Sequence, residues 1–242
     1  PYTASSTSLR ATLVSAKYRE GTEKEYVARL DDPQLGPKIK ADVEKDLGGK
    51  EGAKRIQIAR YSKNPKWQGK TVAAIAEAEG KEPVEVVLEI ERTGGAQVVN
   101  FGMSEDDVRI YMKRPWVATA SDGGVQAPGA TVPHPRSYGT FPRKIGLYAV
   151  EEKLVPVEFA IRSATGLPAD ILKLSDRGYL RPGCWADVVV FDPAAFRDAA
   201  TYDNPHRYPA GVRWVLVNGH AAVKNGEYVE SLGGRVLRHP GR

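Results

Sequence analysis

The sequence predicts an α/β protein whose last part changes to antiparallel β, and two patterns carry that reading. From Arg55 to Ala120, short apolar runs of strand length alternate with stretches of strong helix formers. That rhythm implies right-handed crossover units around a parallel sheet. From Tyr179 onward the order is strand, turn, strand, with Asn-Gly at 218–219 and 225–226 flanked by β-formers. This is hairpin grammar. At 242 residues, 41% of them apolar, the chain can hold one large domain or one and a half ordinary ones. The boundary between the two regimes falls between Thr165 and Arg177.

Taken in order, residues 1–9 are small and hydroxylated and read as a loop lying close to a ligand or a neighbour. Residues 22–30 and 37–47 read as two charged surface helices parted by Asp31-Asp32-Pro33, with Pro37 at a first helical position. They have the look of a helical insertion near residues 10–55. Residues 55–59 fit a strand, and residues 71–79 a helix ended by Gly80. A second helix starts at Pro83 and places Val84, Val87, Leu88 and Ile90 on a face suited to packing on a sheet. Residues 96–101 are strand-like, and Ser104 followed by Glu105, Asp106 and Asp107 is an N-cap with acids in the first helical turn. Further on, residues 156–165 form another amphipathic pattern closed by Gly166, with a short helix after Pro168.

The stretch WVATASDGGVQAPGATVPHPRSYGTFPR, residues 116–143, is where chemistry concentrates. Residues 116–120 are an apolar run too short for a helix, so they read as a buried strand that ends at Ser121-Asp122-Gly123-Gly124. Asp122 is thereby delivered where strand meets loop. His134, Arg136, Tyr138 and Arg143 follow among prolines and glycines, on a stiffened loop within reach of that carboxylate. A lone aspartate after a strand is commonly a turn former, and a histidine between two prolines is as readily structural as chemical.

Composition narrows the function classes. No apolar run approaches the roughly 20 residues that span a bilayer, and the single Cys184 excludes an internal disulfide framework, which makes a cytoplasmic home the default. The chain opens PYTASSTSL without an initiator Met, which reads as processing or as a piece lacking an upstream part. Net charge is +5, with the excess between Lys45 and Lys70, and Tyr61 and Trp67 lie in the same run. Nucleic-acid binding by phosphate contact and stacking is therefore conceivable in principle. The glycines at 48, 49 and 52 and Asn64-Pro65 instead favour a solvated loop around one short strand.

Ser121-Asp122-Gly123, the segment HPRSYGTFPR from His134 to Arg143, the opening PYTASST and the tail GYLRPGCWADVVVFDP with VLVNG together resemble the N-acyl-D-amino-acid deacylases of the amidohydrolase superfamily, over their C-terminal portion. The tail motif points only to the superfamily, whereas the aspartate followed by HPRSYGTFPR is specific to the deacylases. The resemblance implies a partial TIM-like (β/α) barrel in residues 1–170, its metal site at the C-terminal mouth of the strands, and a small antiparallel β-sandwich segment in residues 171–242. It implies zinc-dependent hydrolysis of an N-acyl-D-amino acid. Asp122 is implied as a metal contact and as the group that carries a proton from the attacking water to the leaving amine. A carboxylate beside a zinc-bound water, whose pKa falls to roughly 7, can do both. Arg136 is implied to pair with the substrate carboxylate, for which its planar fork is suited, and Tyr2 to assist there.

The family's principal ligands, an early His-x-His pair, a cysteine and two later histidines, precede the segment resembling PYTASST and have no counterpart here. Cys184, His134, His206, His220 and His239 lack the spacing for them. The expectation is a zinc site only partly supplied by this chain, completed by a missing N-terminal half. The alternative is a non-catalytic module that pairs with another copy of the chain or another partner.

Overall fold

A computed structural model describes residues 2–125, 127–129 and 131–238. The first part is built on a three-stranded sheet of β1 (Ser5–Ser8), β2 (Ile56–Arg60) and β3 (Gln97–Asn100), in the order β1-β3-β2. Between β1 and β2 the chain forms α1 (Leu9–Leu13), α2 (Ala16–Arg19), α3 (Glu23–Leu30), α4 (Gly36–Leu47) and α5 (Gly49–Ala53). Between β2 and β3 come α6 (Val72–Glu79) and α7 (Pro83–Arg92).

This sheet corrects the parallel-crossover expectation. β3 runs antiparallel to both neighbours, with Ser8 and Arg60 opposite Gln97 at one end and Ser5 and Ile56 opposite Asn100 at the other. The connection explains it. A single helix carries a chain across a sheet, but α6 and α7 pack on each other across a short turn. Such a helical hairpin returns the chain to the end it left, so the next strand runs the other way.

Local signals set the helix boundaries. Thr22 accepts a hydrogen bond from the Glu25 N–H while the Glu25 carboxylate accepts from the Thr22 N–H, a capping box that starts α3. Thr71 caps α6 with its hydroxyl alone, which accepts the Ala74 N–H. The inward faces of these helices meet the sheet in one core containing Leu13, Tyr26, Ile39, Val43, Leu47, Ile58, Ile75, Ile90 and Val98, each essentially buried. Burying side chains of this size contributes about 1.5–3 kcal/mol apiece before entropy is counted.

After β3 come α8 (Glu105–Met112), capped by Ser104, and then α9 (Arg136–Pro142), which runs on into a π-helical stretch at Arg143–Glu151. Pro142 has no N–H to donate and sits where the helix changes to the wider turn. α10 (Val157–Ala164) and α11 (Gly166–Ile171) complete the helices. The tail is one antiparallel sheet, β4 (Val188–Phe191), β5 (Val212–Val217), β6 (His220–Lys224) and β7 (Glu227–Tyr228), in sequential order. Asn218-Gly219 and Asn225-Gly226 form its turns, with all four residues at positive φ. Phe191 and Val212 of this sheet pack on Ile145, Ala149, Val155, Ala160 and Phe196, which fastens the tail to the helices beside it.

Four further expectations are corrected. Residues 116–120 are not a buried strand: they form no ladder, Trp116 is 69% exposed, and the segment is held by a hydrogen bond from the Thr119 N–H to the Ser163 carbonyl. An extended segment becomes a strand only beside a partner, and none of the described residues supplies one. The segment HPRSYGTFPR is largely helical rather than a loop, because only its terminal prolines oppose a helix. Residues 5–8 are strand β1, paired with β3, rather than loop. Residues 45–70 are mostly ordered elements, and Trp67 is buried and stacked on Tyr61 at 5.6 Å, so its ring is not available to a base. No helix among the described residues is long and apolar enough to cross a membrane.

Candidate active site

Asp122 adopts φ 51, a left-handed conformation that aspartate tolerates better than most residues. The turn lays Gly123 directly on the backbone of Ser137, leaving no room for a side chain at that position. Asp122 is thus presented to the first turn of α9, and Arg136 Nη1 lies 2.9 Å from Asp122 Oδ2. The pair is lopsided. The arginine side chain is 17% exposed and the carboxylate 82%. One partner is anchored in the protein and the other is open to solvent.

The anchoring comes from His134, which is 2% exposed. Its Nδ1 accepts the Arg136 backbone N–H at 3.0 Å, and its Nε2 lies 2.9 Å from the Ala4 carbonyl oxygen. A carbonyl only accepts, so the ring is neutral with its proton on Nε2. Burial pushes its pKa down to about 4, with the Arg136 charge acting in the same direction. His134 is a fixed tie between the chain entering β1 and the start of α9. Its two nitrogens are both used within the protein, as a structural reading of that residue requires.

Tyr2 is brought into the same cluster by its ring, edge-on to His134 at 5.3 Å and to Tyr202 at 6.0 Å. Its hydroxyl donates to Asp198 Oδ2 at 3.2 Å, and Arg143 reaches the same oxygen at 3.3 Å while standing over the Tyr2 ring. Burial first, then Asp198, raise the Tyr2 hydroxyl well above the ordinary phenol range. The fit is tight at Gly139 of α9, where a β-carbon would fall 2.1 Å from the Tyr2 oxygen.

Sequence reasoning missed Asp198 and Tyr202. Both lie in the polar loop before β5, where nothing local marks one aspartate or tyrosine above its neighbours; only the fold brings that loop over Tyr2. It also missed Lys144, which is buried with its ammonium on the hydroxyls of Thr119 and Ser163. Burial pushes this lysine down to about 8. Lys144 lines a cavity of about 540 Å³ together with Met103, Tyr111, Val117 and Thr119, alongside the segment that leads to Asp122.

Among the described residues, no group of three or more His, Cys, Asp or Glu side chains could hold a metal ion. His206 is tied to the Tyr138 hydroxyl and the Thr131 carbonyl, His220 lies on β6, and Cys184 is a free thiol in the tail. His239 lies outside the described residues. Asp122 alone does not make a zinc site, so the donors present on these residues do not fit a resident metal by themselves.

Known proteins resemble this chain in sequence and in structure. Residues 18–223 match the model of the amidohydrolase family, and the chain belongs to that family. It is 38% identical over 173 residues to a D-aminoacylase of Alcaligenes xylosoxydans xylosoxydans, covering 72% of this chain and 34% of the relative. It is 37% identical over 183 residues to an N-acyl-D-glutamate deacylase of the same organism, covering 76% and 36%. In structure it is similar to a crystalline D-aminoacylase, with a TM-score of 0.73 and 33% identity over 98% of this chain and 41% of that one. It is also similar to the N-acyl-D-glutamate deacylase of Bordetella bronchiseptica complexed with zinc and a phosphonate inhibitor, with a TM-score of 0.68 and 29% identity over 97% and 41%. The chain spans about a third of the length of the curated relatives it matches.

Proposed function

We propose that this chain carries the substrate-orienting and proton-handling part of an enzyme that hydrolyses the amide bond of N-acyl-D-amino acids. The observation that carries the reading is the Arg136–Asp122 pair, an anchored guanidinium holding an open carboxylate. Arg136 meets Asp122 through Nη1, so the Nε and Nη2 edge of the fork can take a substrate carboxylate bidentately. Asp122 then stands within one guanidinium's width of the bound substrate. It accepts a proton from the attacking water and returns it to the amide nitrogen as the carbon–nitrogen bond breaks, which releases a carboxylate and a free amino acid. Tyr2 is proposed to assist at the substrate carboxylate, which requires its hydroxyl to leave Asp198.

The hydrolase is proposed to be zinc-dependent, since the Bordetella deacylase was crystallised with zinc. Asp122 would contribute one carboxylate, and the remaining ligands would come from a part of the protein outside these residues. The likeness to D-aminoacylase supports residues 1–170 as part of a TIM-like barrel with its helical insertion, and residues 171–242 as the β tail. A cytoplasmic setting belongs to the same proposal and rests on the single free Cys184.

The test is kcat/KM of the metal-loaded protein, with the part that supplies the remaining ligands present, on paired N-acetyl-D- and N-acetyl-L-amino acids, with Asp122→Ala and Arg136→Ala beside the wild type. Full deacylase activity in Asp122→Ala would sink the role given to that carboxylate. A second reading, a module that pairs with another chain, is favoured by the apolar side chains left open on α8 and beside it, Ile110, Tyr111 and Trp116. Monodisperse monomers without any partner polypeptide would count against it.

A further inference from the structure

The three-stranded sheet has two ends. Ala4, Asn100 and Phe101 lie toward the Asp122 site, whereas Ser8, Gln97 and Arg60 mark the opposite end, a strand length of roughly 10 Å away. At that far end is a cavity of about 450 Å³, lined by Arg10, Arg60, Glu91, Gly95 and Gln97 among others. Glu91 has a fully buried side chain. Its Oε2 is occupied by Arg10 Nε at 2.7 Å and by the Tyr26 hydroxyl at 3.1 Å, but its Oε1 is buried with no hydrogen-bond partner. A buried carboxylate oxygen left unpaired costs stability unless something donates to it.

The two arginines differ in what they have left to give. Arg10 is largely committed: Nε donates to Glu91, Nη1 and Nη2 each donate one N–H to Glu23 at 2.7 Å, and the guanidinium lies over the Tyr26 ring, its charge balanced by two carboxylates. Arg60 ends β2, is exposed, and makes no ion pair among the described residues. Gly94, Gly95 and Ala96 also line the cavity. A β-carbon on Gly95, at φ 75, would stand 3.5 Å from Glu91 Oε1 and 3.8 Å from Arg10 Nη2, so Oε1 lies directly behind this glycine.

We propose that this cavity is a second binding site, for a small zwitterion of the α-amino-acid class, whose ammonium donates to Glu91 Oε1 and whose carboxylate meets Arg60. The site asks for both groups. An amine alone would leave Arg60 unanswered, and an acid alone would place a second negative charge beside Glu91. A volume of about 450 Å³ accommodates a free amino acid with water. The inference does not rest on the reaction at Asp122, and it concerns binding rather than turnover.

The experiment is calorimetric titration of the purified protein with D- and L-leucine and with 4-methylpentanoate, the same acid lacking its ammonium. Because Arg136 also presents a guanidinium, the titrations are repeated in Arg136→Ala and in Arg60→Glu, an exposed position where the fold is not at stake. Saturable leucine binding that survives in Arg136→Ala and weakens roughly tenfold or more in Arg60→Glu is the expected result. Binding that is lost in Arg136→Ala and unchanged in Arg60→Glu belongs to the Asp122 site and overturns the proposal. So does absence of saturable binding in the wild type, or binding of 4-methylpentanoate as tight as that of leucine. Glu91→Gln, checked by thermal melting, should weaken leucine binding while the protein remains folded; unchanged affinity in a folded Glu91→Gln protein overturns the role of Oε1.

Discussion

Arg136 Nη1 lies 2.9 Å from Asp122 Oδ2, and the backbone N–H of the same arginine is held by His134 Nδ1, so the helix start that carries the guanidinium is fixed while the carboxylate stays open. The consequence is a division of labour that kinetics can separate. Arg136→Lys keeps the charge but loses the fork, and is expected to raise KM for an N-acyl-D-amino acid about tenfold or more with a smaller effect on kcat. Asp122→Asn removes the carboxylate proposed to accept the proton without changing size, and is expected to lower kcat by about two to four orders of magnitude with KM little changed. Steady-state kinetics on the metal-loaded protein checks both, and an equal loss in kcat from the two variants would refute the separation.

His134 makes stability depend on pH. Its folded pKa of about 4 is depressed from 6.5, so between those values the unfolded chain binds the extra proton. The stabilisation is complete above about pH 6.5 and is lost as pH falls toward 4, to a maximum of about 3 kcal/mol. Denaturant melts at pH 7 and pH 4.5 should show the wild type losing more stability than His134→Gln over that interval. Equal losses would remove His134 as the cause.

Lys144 predicts a dependence of the same sign at alkaline pH. With a folded pKa of about 8 against 10.5 when unfolded, the wild type should gain stability as pH rises from about 8 to 10.5. Lys144→Met should lack that gain and be the more stable protein at pH 7, because the Thr119 and Ser163 hydroxyls can still meet each other at 3.3 Å. Thermal melts of both proteins across this range decide it.

Gly139 and Tyr2 should be coupled. Gly139→Ala places a methyl where the Tyr2 hydroxyl lies and is expected to cost about 1–3 kcal/mol by overpacking. In a Tyr2→Phe background the clash is relieved, so the second substitution should cost measurably less. A double-mutant cycle on unfolding free energy measures the difference, and additive costs would show that the two do not meet.

The helices were legible because their ends are written locally: Thr22 with Glu25, Thr71, Ser104 and Gly80 each lie where a boundary falls. The hairpin turns at Asn218-Gly219 and Asn225-Gly226 were legible for the same reason. Strand direction was not: both helices between β2 and β3 could be read, but that they pack on each other as a hairpin is set by tertiary contacts. Residues 116–120 show the other limit. Their apolar pattern is strand-like, but pairing needs a neighbour that pattern alone does not guarantee. Within the site, the Arg136–Asp122 proximity could be read from a short interval of chain, whereas Asp198, 196 residues from Tyr2, could not.

That long interval has a consequence for how the molecule is made. Tyr2 is among the first residues to be synthesised in this stretch, yet the carboxylate that satisfies its hydroxyl is supplied only once the chain has passed Asp198. The nascent chain therefore carries its site wall unfinished from the making of Tyr2 until Asp198 has been added, and closing so long a loop is entropically late. Maturation of the pocket is timed by the tail, so a product cut short before Asp198 would have every residue of the Arg136–Asp122 pair and still leave the aromatic wall behind it without its clasp.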